Sequence, residues 1–186
     1  MAALICLLRG VNVGGHNKLK MDALRELCES LELRNVQTYV QSGNVVFDAP
    51  VKGLETLGGR LASAIEKSFG FRPGIVLRTA AELEQTIARN PFAGRAEVEP
   101  NKLLVVFFDA EPEAGKVAAL KPADEEFHHA GRELYIYFPK GQGQSKLSFA
   151  PFDRGAAKVV WTGRNWNTIT KLLEMATAAG SGSRKS

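Results

Sequence analysis

The sequence reads as an α+β protein in which one order of elements, β-α-β-β-α-β, runs twice and builds antiparallel sheets. Three observations point there. Short apolar runs bounded by turn residues alternate with longer stretches whose apolar positions recur every three or four residues. Residues 36–47 and 126–138 each hold two strand patterns around a glycine-containing turn, the mark of a hairpin. The third is an echo: Ile75-Val76-Leu77-Arg78-Thr79 precedes one helical pattern and Lys158-Val159-Val160-Trp161-Thr162 precedes another.

Taken in order, residues 3–8 are apolar at every position, which suits a central strand covered on both faces. Met21, Leu24, Leu27, Cys28 and Leu31 then fall on one helical stripe. Residues 36–40 and 45–47 flank the turn Gln41-Ser42-Gly43-Asn44. Leu54, Leu57, Leu61, Ile65 and Phe69 mark a second helix, weakened in its first half by Gly58-Gly59. Residues 74–78 give a fourth strand. Thr79-Ala80-Ala81-Glu82 has the form of a capping box, opening a helix that stops at Asn90-Pro91.

Residues 92–100 connect the halves, and the order then returns. Residues 102–108 form an apolar strand, Pro112 opens a short helix through Leu120, and a hairpin turns around Ala130-Gly131-Arg132. Residues 149–157 are broken by Pro151, Asp153 and Gly155, residues 158–161 read as the last strand, and Trp166, Ile169, Leu172, Leu173 and Ala176 give a final helix. The pattern is a tandem duplication of ferredoxin-like βαββαβ units with antiparallel sheets. The expected division is residues 1–91 with a linking helix, 92–179 with a C-terminal helix, and a flexible tail at 180–186.

The bulk properties exclude more than they assign. At 186 residues, with 45% hydrophobic and 24% charged content, the chain is of ordinary globular composition. Two of its 24 basic residues, Arg184 and Lys185, lie in the tail; the remaining 22 against 20 acidic residues are too near balance to mark a nucleic-acid footprint. Cys6 and Cys28 fall on apolar faces and read as small core residues rather than as a disulfide or a metal pair. His128-His129 sits in a strand, where adjacent rings point to opposite faces, so no shared metal is expected. No segment is long enough to span a bilayer, and a cytoplasmic location is the expectation. No metal and no cofactor are implied.

The most distinctive stretch is Arg9-Gly10-Val11-Asn12-Val13-Gly14-Gly15-His16-Asn17-Lys18, which joins the first strand to the first helix. A connection of this kind needs only a few polar residues, and glycines here let backbone N–H groups turn toward a ligand. Arg9, Asn12, Gly14, Gly15, Asn17 and Lys18 are therefore candidate ligand-binding residues, Arg9 as an anion fork. In the βαββαβ order the first two strands end at the same edge, which brings Gln41, Ser42 and Asn44 to that loop. A second constellation is expected at the opposite edge of the second unit, where Ser145 and Lys146 should approach Arg164, Asn165 and Asn167. There Thr162 or Asn165 would cap the final helix and leave Arg164 beside its free N–H groups. The competing reading is structural: Asn and Gly are also what tight turns require. Neither Gly141-Gln142-Gly143-Gln144-Ser145-Lys146 nor the first loop has the order of a nucleotide motif.

Several of these motifs belong together. Arg9-Gly10-Val11-Asn12-Val13-Gly14-Gly15, Met21, Leu24-Arg25, Thr38-Tyr39-Val40-Gln41-Ser42-Gly43-Asn44-Val45 with Phe47, Ser145-Lys146-Leu147, and Arg164-Asn165-Trp166-Asn167-Thr168 resemble the bacterial domain-of-unknown-function family 1697. The resemblance runs from the first strand to the last helix. It implies an α+β fold of duplicated ferredoxin-like units and no particular activity. The broken stretch at 149–157 departs from the cleaner helix the resemblance implies.

Three functions fit these residues. The first is binding of a small anionic or phosphorylated ligand through the Gly/Asn/Arg-rich loops. Nucleic acid is a weaker variant of it, because the first strand carries Leu4 to Leu8 where RNA-binding sheets present aromatics. The second is an enzyme acting on a phosphorylated or carboxylate substrate, with His16 or Lys146 as proton carrier. The third is a partner-interaction protein whose polar loops only rigidify the fold. No membrane partner is expected.

Overall fold

The computed structural model describes residues 1–40, 42–50 and 52–182, with residues 179–182 described by backbone alone. Its first series of elements is Ala2–Arg9 (β1), Met21–Ser30 (α1), Arg34–Tyr39 (β2), Asn44–Ala49 (β3), Leu54–Phe69 (α2), Gly74–Thr79 (β4) and Ala80–Ala88 (α3). The second is Leu103–Phe108 (β5), Ala114–Ala118 (α4), Glu126–Ala130 (β6), Glu133–Tyr137 (β7), Ala150–Asp153 (α5), Trp161–Asn165 (β8) and Trp166–Gly182 (α6). The strand orders are β2-β3-β1-β4 and β6-β7-β5-β8, with every neighbouring pair antiparallel. This is the ferredoxin-like arrangement, twice. By backbone contacts the chain separates into two compact units: Met1–Glu84 together with the C-terminal segment from Lys171, and Gln85–Thr170.

In the first unit, Leu4, Ile5, Cys6, Leu7 and Leu8 are each no more than 2% exposed. Leu4, Cys6 and Leu8 share a core with Leu24 and Cys28 of α1 and with Leu57, Leu61 and Ile65 of α2. Ile5 and Leu7 point to the other face and are equally buried. Each such side chain removed from water contributes about 1.5–3 kcal/mol. Burial, with the Glu29 charge adding, pushes the Cys28 thiol up to about 12, so it stays a protonated core residue. Gly53 and Gly70 flank α2 in left-handed conformations, and Gly70 N donates to Glu66 O at 2.9 Å. The capping box at α3 is formed: Glu82 N donates to Thr79 Oγ1 at 3.1 Å and Thr79 N to Glu82 Oε2 at 2.8 Å.

The second unit repeats the sheet but thins the helical layer, since α4 has five residues and α5 only four. Aromatic rings fill the space. Phe108 and Phe152 meet edge to face at 4.8 Å, and Phe149 lies 5.0 Å from Trp161. The breaks at Pro151 and Gly155 thus leave a single helical turn. On the opposite face, the Tyr135 hydroxyl donates to Thr86 O of α3 at 2.6 Å, and burial pushes that phenol up to about 12.

The last strand is displaced from its expected position. It begins at Trp161 and runs through Asn165, rather than occupying residues 158–161. The apolar run Val159-Val160-Trp161 imitates a strand, yet Val160 is held by an aspartate instead of a full ladder. Val160 N donates to Asp109 Oδ1 at 2.9 Å, and Asp109 N donates to Val160 O at 3.0 Å. The internal echo shifts accordingly. Ile5 faces Arg78 in one sheet and Val105 faces Arg164 in the other, so Arg78-Thr79 corresponds to Arg164-Asn165, not to Trp161-Thr162. Helix α6 continues through Gly182, and residues 183–186 lie outside the described residues.

Two glycines separate strain from space. A Cβ at Gly43, where φ is +81°, would stand 2.8 Å from Leu8 Cβ. One at Gly163 would stand 3.2 Å from the flexible tip of Leu104. Gly43→Ala is expected to cost about 2 kcal/mol or more and Gly163→Ala about 1 kcal/mol or less, measured by urea denaturation. Equal costs would contradict this assignment.

Candidate functional site

The connection from β1 to α1 is a small hairpin built from within. Gly14 (φ 58°) and Gly15 (φ 78°) are consecutive left-handed residues, and His16 N donates to Val13 O at 3.0 Å across the turn. Gly10, Asn12 and Asn17 are also left-handed, at φ 76°, 55° and 51°. The two asparagines hold the hairpin shut. Asn12 brackets Leu19, accepting from its N–H at 2.8 Å and donating Nδ2 to its carbonyl at 2.9 Å. Asn17 Nδ2 donates to Gly10 O at 2.9 Å, and Asn12 N donates to Asn17 O at 3.1 Å. Val11 and Leu19 anchor the base in the core of the first unit. The tip from Val13 through Lys18 is exposed.

The β2–β3 turn comes to the same end of the sheet. Leu7 pairs with Asn44, and Leu8 N donates to Gly43 O at 2.9 Å. Asn44 is fully buried; its Nδ2 donates to Tyr39 O at 2.8 Å and to Ser42 Oγ at 3.0 Å, closing the hairpin. Gln41 lies outside the described residues. Arg9 is the half-buried last residue of β1.

In the second unit the expected group is differently arranged. The starts and ends of β5, β7 and β8 do bring the 139–146 loop and the α6 start to one edge, since Leu103 faces Tyr137 and Leu104 faces Asn165. The side chains then part. Ser145 Oγ donates to the Glu125 carboxylate and accepts from Leu147 N at 3.0 Å, while Lys140 pairs with Asp124. The Ser145 hydroxyl holds the Glu125 carboxyl below the usual glutamate range. Lys146 is exposed. Asn165 is the cap, accepting from Thr168 N at 2.9 Å, and Asn167 is exposed on the first turn of α6. Among the described residues no side-chain hydrogen bond joins Ser145 or Lys146 to Asn165 or Asn167. Arg164 lies in β8, two residues before α6. It is 7% exposed within β8, with Nη1 donating to Thr162 Oγ1 at 2.6 Å and Gly163 O at 2.8 Å.

Two charged groupings escaped the sequence reading. Arg95 Nη1 donates to both Glu126 oxygens at 2.9 Å and Nε to Glu97 at 2.7 Å, while His128 Nε2 lies 3.1 Å from Glu126. Phe92 packs under that guanidinium, 5.3 Å from its ring centre, so the network ties the connection before β5 to β6. The other is a groove in the first unit bordered by Arg34, Lys52 and Arg60. Neither has a spacing that distinguishes it from ordinary surface charge. Among the described residues no group of His, Cys, Asp or Glu is set to hold a metal, and no helix is long and apolar enough to cross a membrane.

With this geometry in place, comparison with known proteins gives a family. The sequence profile described as "Protein of unknown function (DUF1697)" matches residues 1–135. The chain belongs to that family. DUF1697 membership covers the β1–α1 hairpin and the β2–β3 turn; the match ends within β7, before Ser145 and Arg164. A conserved bacterial protein from Streptococcus pneumoniae has the same fold, with a TM-score of 0.73 at 23% identity, over 94% of this chain and 98% of that one. No functionally curated protein matches.

Two measurements check the local assignments. Asn12→Ala leaves both backbone groups of Leu19 without their partner and is expected to cost about 1–2 kcal/mol in urea denaturation. His128 and then Arg95 hold the Glu126 carboxyl below its ordinary value, and Arg95 does the same for Glu97. Depressed carboxylates stabilise the fold above their unfolded value and lose that contribution as pH falls through the folded one. Stability should therefore drop on acidification below the ordinary glutamate range, and less steeply in Glu126→Gln. Identical pH profiles would exclude this linkage.

Proposed function

We propose that the protein binds a small anionic or phosphorylated ligand at the end of the first sheet from which the β1–α1 hairpin projects. The observation carrying this reading is that the hairpin's shape and its charge are supplied by different residues. Asn12 and Asn17 fix the backbone through their own amides. That leaves His16, Lys18 and Lys20 exposed, with no side-chain hydrogen bond or ion pair among the described residues. Asn12 and Asn17 hold left-handed conformations that side-chain-bearing residues seldom adopt, and such strain gathers at binding loops. Gly14 and Gly15 keep the tip free of side chains, so a ligand can approach the backbone beside the lysines. Helix α1 begins at Met21, and its N-cap residue Lys20 makes no side-chain cap, which adds a favourable field for an anion.

The test is a thermal-shift titration with inorganic phosphate, pyrophosphate, nucleotides and a short oligonucleotide. A ligand of the native state must raise the melting temperature by mass action, by about 2.7 kcal/mol of stability at a hundred times its Kd. One of the small anions is expected to do so, at least tenfold more weakly in Lys18→Ala/Lys20→Ala and unchanged in Lys146→Ala. Equal binding by the double variant would remove the hairpin from the site. Silence across the panel would remove the reading.

A further inference from the structure

We infer that residues 154–158 form a releasable strap on the second unit, and that the Lys116 ammonium is the catch that holds it closed. The strap runs between two fixed points. At its start Phe152 is fully buried, and Asp153 Oδ1 accepts from Trp161 Nε1 at 2.9 Å. At its end both backbone groups of Val160 are held by Asp109. Between these points Arg154, Gly155, Ala156, Ala157 and Lys158 are all exposed.

One side chain holds these five residues. Lys116, half-buried on α4, donates Nζ to Arg154 O at 2.9 Å and to Ala157 O. An ammonium has three N–H donors, so a single lysine gathers two carbonyls three residues apart. The chain between them folds around Gly155, whose φ is +83°. Among the described residues nothing else makes a hydrogen bond or an ion pair with residues 154–158. Their exposed side chains add no apolar burial. Lys102, Lys140 and Lys171 each meet a carboxylate, but Lys116 meets only neutral carbonyls. Letting go therefore leaves no carboxylate without its partner.

The strap is thus a two-state element. Released, Arg154 O and Ala157 O take water in place of the ammonium, and the five residues regain backbone freedom. Closure rests on one charge-assisted contact, and segments held in this way open far more readily than a core. Phe152 and Val160 keep their own partners, which confines the opening to the strap. The coupling runs both ways: a group that takes the ammonium frees the strap, and a partner that binds the extended strap frees the ammonium. The strap shares no residue with the proposed anion site, so either stands without the other.

The experiment is limited trypsin digestion of the full native chain, with the initial rate of cutting after each residue read by mass spectrometry. Arg154 and Lys158 place two cleavage positions in the strap, and a protease cuts the transiently opened form. In Lys116→Met, cutting after Arg154 is expected to be at least tenfold faster than in the unsubstituted chain. Cutting after Arg164, which is 7% exposed in β8, requires the sheet itself to open and should not change. Lys140→Met removes a lysine that pairs with Asp124 and should leave both rates alone. Equal rates after Arg154 with and without Lys116 would overturn the inference. So would an acceleration after Arg164 as large as that after Arg154, which would make Lys116 a general support of the unit. The same acceleration in Lys140→Met would overturn it too.

Discussion

The architecture depends on two central strands, β1 and β5, that are covered on both faces. From Leu4 to Leu8 in β1 and from Leu103 to Phe108 in β5, every side chain is buried. A strand of this kind can only be central, because alternate residues leave it in opposite directions and each set needs cover. Placing β1 and β5 in the middle fixes the rest of each sheet. Their neighbours β3 and β7 arrive by short hairpins with β2 and β6, while β4 and β8 close the other side. At roughly 1.5–3 kcal/mol per buried side chain, these two strands outweigh any single polar interaction in the molecule.

Polar side chains do a different task, standing in for backbone partners where the sheet cannot supply them. Asp109 serves the chain entering β8, Asn12 serves Leu19, and Asn44 closes the β2–β3 turn. Thr79 and Asn165 do the same at the corresponding starts of α3 and α6. Buried backbone groups without partners would cost about 1–3 kcal/mol each, so these residues are structural by energetics even where they lie in conspicuous motifs. The cations beside them are not bound by that duty. Lys18 and Lys20 are displayed by a loop they do not build.

The two units show one topology carried by different packing. Helices of 10 and 16 residues cover the first sheet, and their side chains are aliphatic. In the second, helices of five and four residues leave the cover to Phe149, Phe152 and Trp161. These rings pack against one another over the sheet, and Trp161 Nε1 donates to Asp153 at 2.9 Å. The duplication is therefore preserved in strand order and register rather than in residue identity.

The element order, the central strands, the capping box and the hairpins follow from the sequence alone, because hydrophobic period and turn chemistry are local properties of the chain. The start of β8 did not, since Val159-Val160-Trp161 satisfies a strand pattern and only Asp109, some fifty residues earlier, decides against it. For the candidate sites the division is similar. The 9–18 loop was legible from its glycines and asparagines, but the roles within it were not: a side-chain amide that binds backbone looks the same in sequence as one offered to a ligand. Arg164 falls inside β8 because that strand runs through Asn165. The catch on the 154–158 strap left no trace at all, because Lys116, Arg154 and Ala157 are ordinary surface residues until folding brings α4 to the chain that follows α5. Local chemistry determined the elements; only long-range pairing decided which charges share a surface.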